Sequence, residues 1–170
     1  MDKKVYIISG HSNDGKTNWI TKAVEFLKDK NLSVSGVVAP GAWADDEKTG
    51  IDSILLPGEE LVHLAVRKPD FSEGYSRKWK FDDEVLEKIN NHLWNLGDCD
   101  YVVIDEIGPL EVIKKQGFTN ALKILEEGYY QNVIVALRPS LVERLKNIIH
   151  KDYEVQVLEV DKNPNHDILI

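Results

Sequence analysis

Val5-Tyr6-Ile7-Ile8 is an unbroken apolar run that closes just before Ser9-Gly10. A run of this kind, without polar alternation, is the pattern of a strand covered on both faces. Beyond the next loop, Ile20, Ala23, Val24 and Leu27 recur at i, i+3, i+4 and i+7, which predicts a helix packing one stripe on that strand. Asn31 suits the left-handed residue that ends such a helix. Residues 34–39 predict a second strand, closed by Pro40-Gly41.

Residues 40–80 carry a less regular pattern. Segments 51–56 and 61–66, parted by Pro57-Gly58, predict an antiparallel hairpin, and Trp79-Lys80-Phe81 an edge strand. Asp82-Asp83-Glu84 places acids where a helix N-terminus favours them, and Leu86, Ile89, Leu93 and Leu96 continue a stripe to Gly97. Residues 101–104 predict a second strongly buried strand, running into Asp105-Glu106. Helices follow at 118–127, stopped by Gly128, and from Pro139 through Leu141, Leu145, Ile148 and Ile149. Strands are expected at 133–137 and, with half-exposed alternation, at 154–160. No repeat, low-complexity tract or linker interrupts the pattern, so a single domain over 1–170 is expected. Strands alternating with helical crossovers predict an α/β fold of three layers, a mostly parallel sheet flanked by helices with an antiparallel hairpin added.

Composition narrows the function. The 170 residues are 42% hydrophobic and 29% charged, and 21 basic residues stand against 29 acidic ones, a net charge of −8. No basic stripe is available to neutralise a phosphate backbone, so a long nucleic acid is not an expected partner. Cys99 is the single cysteine, which excludes an intrachain disulfide and a thiolate zinc site. The apolar run at 5–8 is too short for a signal peptide or a membrane span, so a cytoplasmic chain without membrane contact is expected.

Gly10-His11-Ser12-Asn13-Asp14-Gly15-Lys16-Thr17 matches the phosphate-loop pattern G-x-x-x-x-G-K-[ST]. Chain leaving a buried strand must wrap a phosphate with its N–H groups, and the two glycines permit the close approach. The following helix adds the positive end of its dipole. Lys16 is then placed for the β- and γ-phosphates and the Thr17 hydroxyl for Mg²⁺. Asn13 stands where many such loops carry glycine and tolerates positive φ, and the Asp14 side chain is expected to point away from the phosphates.

The strand at 101–104 ends in two acids. A carboxylate at a strand tip beside the loop can hold magnesium, the expected role of Asp105. Because side chains alternate along a strand, Glu106 should point elsewhere, free to polarise a water for attack on the γ-phosphate. Arg138, just past the strand at 133–137, is a candidate to reach the γ-phosphate in the transition state, with a salt bridge as its alternative. Glu111 is a weaker candidate to orient Arg138 or the water. Trp43 and Trp79 are candidates for base stacking, although packing is the commoner use of such residues, and Trp19 and Trp94 are expected to be structural. The histidines show no metal-ligand spacing.

Val103-Ile104-Asp105-Glu106-Ile107-Gly108-Pro109-Leu110-Glu111, with Gly117-Phe118 beyond it, resembles the V-I-D-E-I-G-P-M-E segment of the thermophile-type and cancer-related nucleoside-triphosphatase family. The N-terminal phosphate loop, the Gly36-Val37-Val38-Ala39-Pro40 strand and the Pro57-Gly58-Glu59 turn keep the same order. The resemblance spans roughly residues 4–150. It implies a RecA-like P-loop fold and slow, Mg²⁺-dependent hydrolysis of several nucleoside triphosphates, with ATP or GTP as substrate. It assigns Lys16 and Thr17 to phosphate and metal, Asp105 to magnesium and Glu106 to water, and it supports Glu111. The loop departs from the family's G-x-x-G-x-G-K-T-T at Asn13, Asp14 and Asn18, though Asn18 can still donate to the α-phosphate. The family's Arg-x-Gly-Phe is met here by Lys48-Thr49-Gly50-Ile51.

Two other functions share this loop. A small-molecule or nucleotide kinase would close an arginine-bearing lid, whereas only Arg67, Arg77, Arg138 and Arg144 occur here, well scattered. A nucleotide-gated switch or adaptor would present a surface to an unidentified protein partner, for which the irregular residues 41–50 and 67–78 are candidates.

Overall fold

The computed structural model describes residues 2–10, 13–67, 79–107 and 117–170, the side chains of Asn13 and Asp14 excepted. Along the chain run β1 (Lys3–Ser9), α1 (Asn13–Asp29), β2 (Val34–Val38), β3 (Gly41–Ala44), β4 (Glu47–Leu56), β5 (Glu60–Arg67), β6 (Trp79–Phe81), α2 (Asp83–Trp94), β7 (Tyr101–Ile107), α3 (Thr119–Glu127), β8 (Asn132–Leu137), α4 (Val142–Ile148) and β9 (Tyr153–Glu159). The strands form one sheet in the order β6-β5-β4-β2-β7-β8-β1-β9, with β3 paired to β4 off that path. Pairs β2–β7, β7–β8, β8–β1 and β1–β9 are parallel. From β2 outward through β4, β5 and β6, and at β3, pairing is antiparallel.

The unbroken apolar strands are covered on both sides, as their sequence requires. Val5 and Ile7 join Val102, Ile104, Val133 and Val135 in a core closed by Ile89 and Leu93 of α2, Leu122 and Leu125 of α3, and Leu145 of α4. Tyr6 and Ile8 face the other way, with Ile134, Ala136 and Val103, against Ile20, Ala23, Val24 and Leu27 of α1. Each fully buried aliphatic side chain here contributes about 1.5–3 kcal/mol. Two dry layers around one sheet therefore fix the register of the parallel strands.

Several local signals read from sequence recur in the fold. Asn31 is left-handed (φ 60°) just past α1, and Gly128 (φ 70°) caps α3. Asp82 caps α2, its side chain accepting from the N–H groups of Glu84 and Val85. The junction between the parallel and antiparallel parts has its own fastening. His92 Nε2 lies 3.1 Å from the carbonyl of Gly36 and 2.8 Å from that of Leu56, two residues paired across β2 and β4. Both partners are acceptors, so the nitrogen carries the proton. Gly36 itself has φ 128°, and a Cβ there would sit 2.0 Å from the Val103 carbonyl oxygen, so only glycine lets β2 approach β7.

The fold also corrects the sequence reading. Residues 41–50, expected to be irregular, form β3, the start of β4 and a two-residue turn in which Asp45 and Asp46 both have positive φ (50° and 63°). That conformation usually calls for Gly or Asn, so two aspartates concealed the hairpin. The predicted hairpin is thereby enlarged to a four-strand antiparallel wing. Helix α1 begins inside the loop, at Asn13, rather than after it. Positive φ at Asn13, the expected accommodation, is therefore not what the loop uses. Pro139 opens a 3-10 turn before α4. Trp94, expected to be structural, is half exposed, with Lys123 over its ring. Trp43 is also exposed, while Trp19 is buried. No helix among the described residues is long and apolar enough to cross a membrane.

Candidate functional site

The C-terminal tips of β7, β8 and β1 lie side by side in the sheet, and each leads into a residue singled out above. From β1 the chain passes Gly10 and enters α1, whose first turns carry Lys16 and Thr17. Lys16 is 1% exposed, an unusual position for an ammonium group. Its charge is met by Glu106, with Nζ 3.3 Å from Oε1. Arg138, immediately after β8, approaches the same oxygen, its Nε at 3.9 Å. One carboxylate at the tip of β7 thus holds both cations of the site. Its side chain is only partly buried and remains reachable from solvent.

Asp105 precedes Glu106 on β7 and is joined to it by a cis peptide bond. Asp105 is 1% exposed. Its Oδ2 accepts from the backbone N–H of Ala39, at the end of β2, at 3.1 Å. Its Oδ1 is buried with no hydrogen-bond partner. Burial pushes its carboxyl up to about 6, helped by the negative Glu106 and opposed by the Ala39 N–H, the Thr17 side chain and Lys16.

An orphaned carboxylate oxygen is costly to bury, and the Thr17 side chain acts on the same carboxyl group. The pair offers only hard oxygen donors, the set a Mg²⁺ ion takes. Among the described residues no group of three or more His, Cys, Asp or Glu converges. This suits an ion held by one carboxylate, a hydroxyl and its own waters better than a metal in a protein cage. The residues present fit magnesium.

Of the residues expected at the site, Lys16 and Arg138 both meet Glu106, and Thr17 and Asp105 form a second contact beside them. Gly10 and Gly15 flank this group in the chain, and Asn18 is exposed on α1. His11, Ser12, Arg77, Glu111 and most of the candidate surface at 67–78 lie outside the described residues, as do the side chains of Asn13 and Asp14. Sequence reasoning missed the Ala39 N–H, which bears no side-chain signature. It also set Arg138 between two roles, and the ion pair is the one seen, to Glu106.

A family model described as NTPase matches residues 5–170. The chain belongs to this nucleoside-triphosphatase family. A curated relative, nucleoside-triphosphatase THEP1 of Methanosarcina acetivorans, is 30% identical over 161 residues, covering 91% of this chain and 86% of its own. THEP1 of Methanosarcina barkeri is 29% identical over 159 residues, covering 92% and 88%. The solution structure of a human cancer-related nucleoside triphosphatase aligns with a TM-score of 0.62 at 23% identity, over 92% of this chain and 88% of that one. The crystal structure of THEP1 from Aquifex aeolicus aligns at 0.63 and 18% identity, over 93% and 89%. At that identity the two structures speak for the fold, which is that of the P-loop nucleoside-triphosphatases.

Proposed function

We propose that the chain hydrolyses nucleoside 5′-triphosphates to the diphosphate and inorganic phosphate, in a site formed by residues 10–18, Asp105, Glu106 and Arg138. The observation that carries the proposal is the buried ammonium of Lys16, held 3.3 Å from the Glu106 carboxylate between two strand tips. A lysine kept out of water beside the phosphate-loop sequence supports a phosphate role for it, and its carboxylate partner supports a role on the attacking water.

The roles follow from charge. The N–H groups along residues 10–18 and the N-terminus of α1 receive the triphosphate tail. Its oxygens carry more negative charge than one carboxylate, so they draw Lys16, and then Arg138, away from Glu106. Released from its ion pairs, Glu106 accepts a proton from a water as that oxygen bonds to the γ-phosphorus and the β–γ bridging oxygen departs with the diphosphate. Lys16 and Arg138 stabilise the charge spread over the γ-oxygens. Thr17 and Asp105 would hold Mg²⁺, which when bound neutralises the β- and γ-phosphate charge. The same logic makes ATP and GTP equally acceptable at the phosphate end.

The test is phosphate release from each nucleoside triphosphate, with and without Mg²⁺, by wild type, Lys16→Ala and Glu106→Gln. Lys16→Ala should weaken both nucleotide binding and turnover. Glu106→Gln should bind nucleotide at least as well as wild type and lose about 10²–10⁴-fold in kcat, the range of a general base. A Glu106→Gln enzyme with undiminished kcat would remove Glu106 from the water's path. Phosphate release that needs an added metabolite would point to a kinase instead.

A further inference from the structure

The groups of the nucleotide site stand at the C-terminal tips of the parallel strands, and the opposite edge of the sheet carries a second concave feature. A depression of about 140 Å³ is lined by Leu93 and Trp94 at the end of α2, Ile124 and Glu127 on α3, and Tyr129 and Tyr130 just before β8. Glu106 lies five residues up β7 from Tyr101, at the start of that strand, so the two edges are on the order of 15–20 Å apart. The depression is therefore no part of the nucleotide site.

Its backbone is fastened while its rings are left uncovered. Gly128, left-handed at φ 70°, ends α3 and turns the chain toward Tyr129. Lys3 Nζ donates to the Gly128 carbonyl at 2.7 Å, and the Tyr153 hydroxyl donates to the Tyr130 carbonyl at 2.7 Å. Leu93 and Ile124 are buried and form an aliphatic floor. Above it Trp94 is 57% exposed and Tyr129 77%. A fixed wall of three aromatic residues thus faces water on a protein that buries most of its apolar side chains.

The charges around the rings say what would fill the space. An aromatic face carries negative charge density and draws a cation. This chain already places one there, since Lys123 Nζ lies over the Trp94 ring, 5.3 Å from its centroid. Glu127 lines the depression and makes no ion pair among the described residues. Burial, with Cys99 and Asp98 nearby, pushes the Tyr130 phenol up, so its ring stays neutral beside a second carboxylate. A primary ammonium would bring three N–H donors to a lining with few acceptors. A quaternary ammonium has no N–H, and its charge is spread over methyl groups that aromatic faces receive directly. Its head is also the right size, because a cavity of roughly 150 Å³ takes up one benzene.

We propose that this depression binds a small quaternary ammonium compound, with Trp94, Tyr129 and Tyr130 receiving the methylated head and Glu127 supplying the counter-charge. Lys123 is then a tethered competitor, displaced from the Trp94 ring when the ligand enters.

The test titrates the full chain with tetramethylammonium chloride, against sodium chloride at equal ionic strength. The indole N–H resonance of Trp94 and the ring resonances of Tyr129 and Tyr130 report binding. Saturable shifts are expected with a Kd on the order of 10 mM. tert-Butanol, neutral and close in shape, should bind at least about fivefold more weakly. Trp94→Ala should weaken tetramethylammonium binding by about tenfold, and Glu127→Gln by about two- to fivefold. Lys123→Ala should tighten it by about twofold or more, an effect of opposite sign that damage to the fold does not produce. Melting temperatures near that of wild type are expected for all three exposed substitutions. Equal affinity for tert-butanol would overturn the proposal by showing a merely apolar hollow. So would the absence of saturable shifts in both wild type and Lys123→Ala, or weaker binding in Lys123→Ala. Phosphate release by Trp94→Ala should match that of wild type, so the outcome is independent of the hydrolase reading.

Discussion

Asp105→Asn should gain stability on the metal-free wild type as pH rises from about 4.5 to 8, while removing its activity. Burial raises the Asp105 carboxyl from 3.8 to about 6 in the folded chain. The folded state therefore holds the proton more tightly than the unfolded state, and stability falls as pH rises through the window between the two values. At full ionisation the cost is about 3 kcal/mol, at 1.36 kcal/mol per pH-equivalent of displacement. About 2 kcal/mol of it develops between pH 4.5 and 8. Asparagine keeps an oxygen for the Ala39 N–H, but it places an amide where Oδ1 now has no partner. That buried donor costs about 1–3 kcal/mol at every pH. The variant should accordingly be equal to or less stable than wild type near pH 4.5 and gain on it by about 2 kcal/mol by pH 8. Urea denaturation in EDTA, followed across that range, reads the difference directly. A stability difference that stays flat with pH would refute the reasoning, because it would mean that Asp105 ionises in the fold as it does in water. Mg²⁺ with ADP should reverse the order at pH 8, stabilising wild type alone.

Three other substitutions probe the scaffold and the site. Gly36→Ala drives a methyl to within 2.0 Å of the Val103 carbonyl oxygen at φ 128°, so it should destabilise by about 4 kcal/mol or more and leave little folded protein in a thermal melt. His92→Ala removes the donor shared by the Gly36 and Leu56 carbonyls; a loss of about 1–3 kcal/mol is expected, with faster amide exchange at Val37 and Leu55 as its local signature. Arg138→Ala should lower kcat by roughly 10–10³-fold with little change in the Kd for the diphosphate, since its proposed charge partner is the γ-phosphate; an equal loss in diphosphate affinity would assign it to ground-state binding instead.

The parallel half of the fold was legible because its signals are local and redundant. Val5 to Ile8 and Tyr101 to Ile104 are apolar at every position, and a segment that buries both faces has few other places to go. The phosphate loop was legible for a similar reason, a fixed spacing between a strand and a helix. The antiparallel wing was read only in part. Its extra hairpin turns on Asp45 and Asp46, whose left-handed conformations are tolerated by aspartate and announced by nothing. Trp94 sits on an apolar stripe, yet α2 ends there and the ring is left at the rim.

The electrostatics of the site were legible as residues and not as pairs. Sequence assigns Lys16 and Glu106, Thr17 and Asp105 to separate roles, but it carries no sign that Lys16 and Glu106 pair with each other. In the fold the division is between burial and charge: Asp105 goes inward to a backbone N–H, and Glu106 turns to the two cations. That split has a functional consequence. A carboxylate engaged by Lys16 and Arg138 has its oxygen occupied, whereas the same carboxylate deserted by both is open to a water. On the proposed reading substrate binding frees Glu106 for the water, so a nucleotide lacking the γ-phosphate should leave Arg138 and Glu106 paired. Under that arrangement Glu106 holds both cations before substrate arrives, and Lys16 need never be buried without a counter-charge.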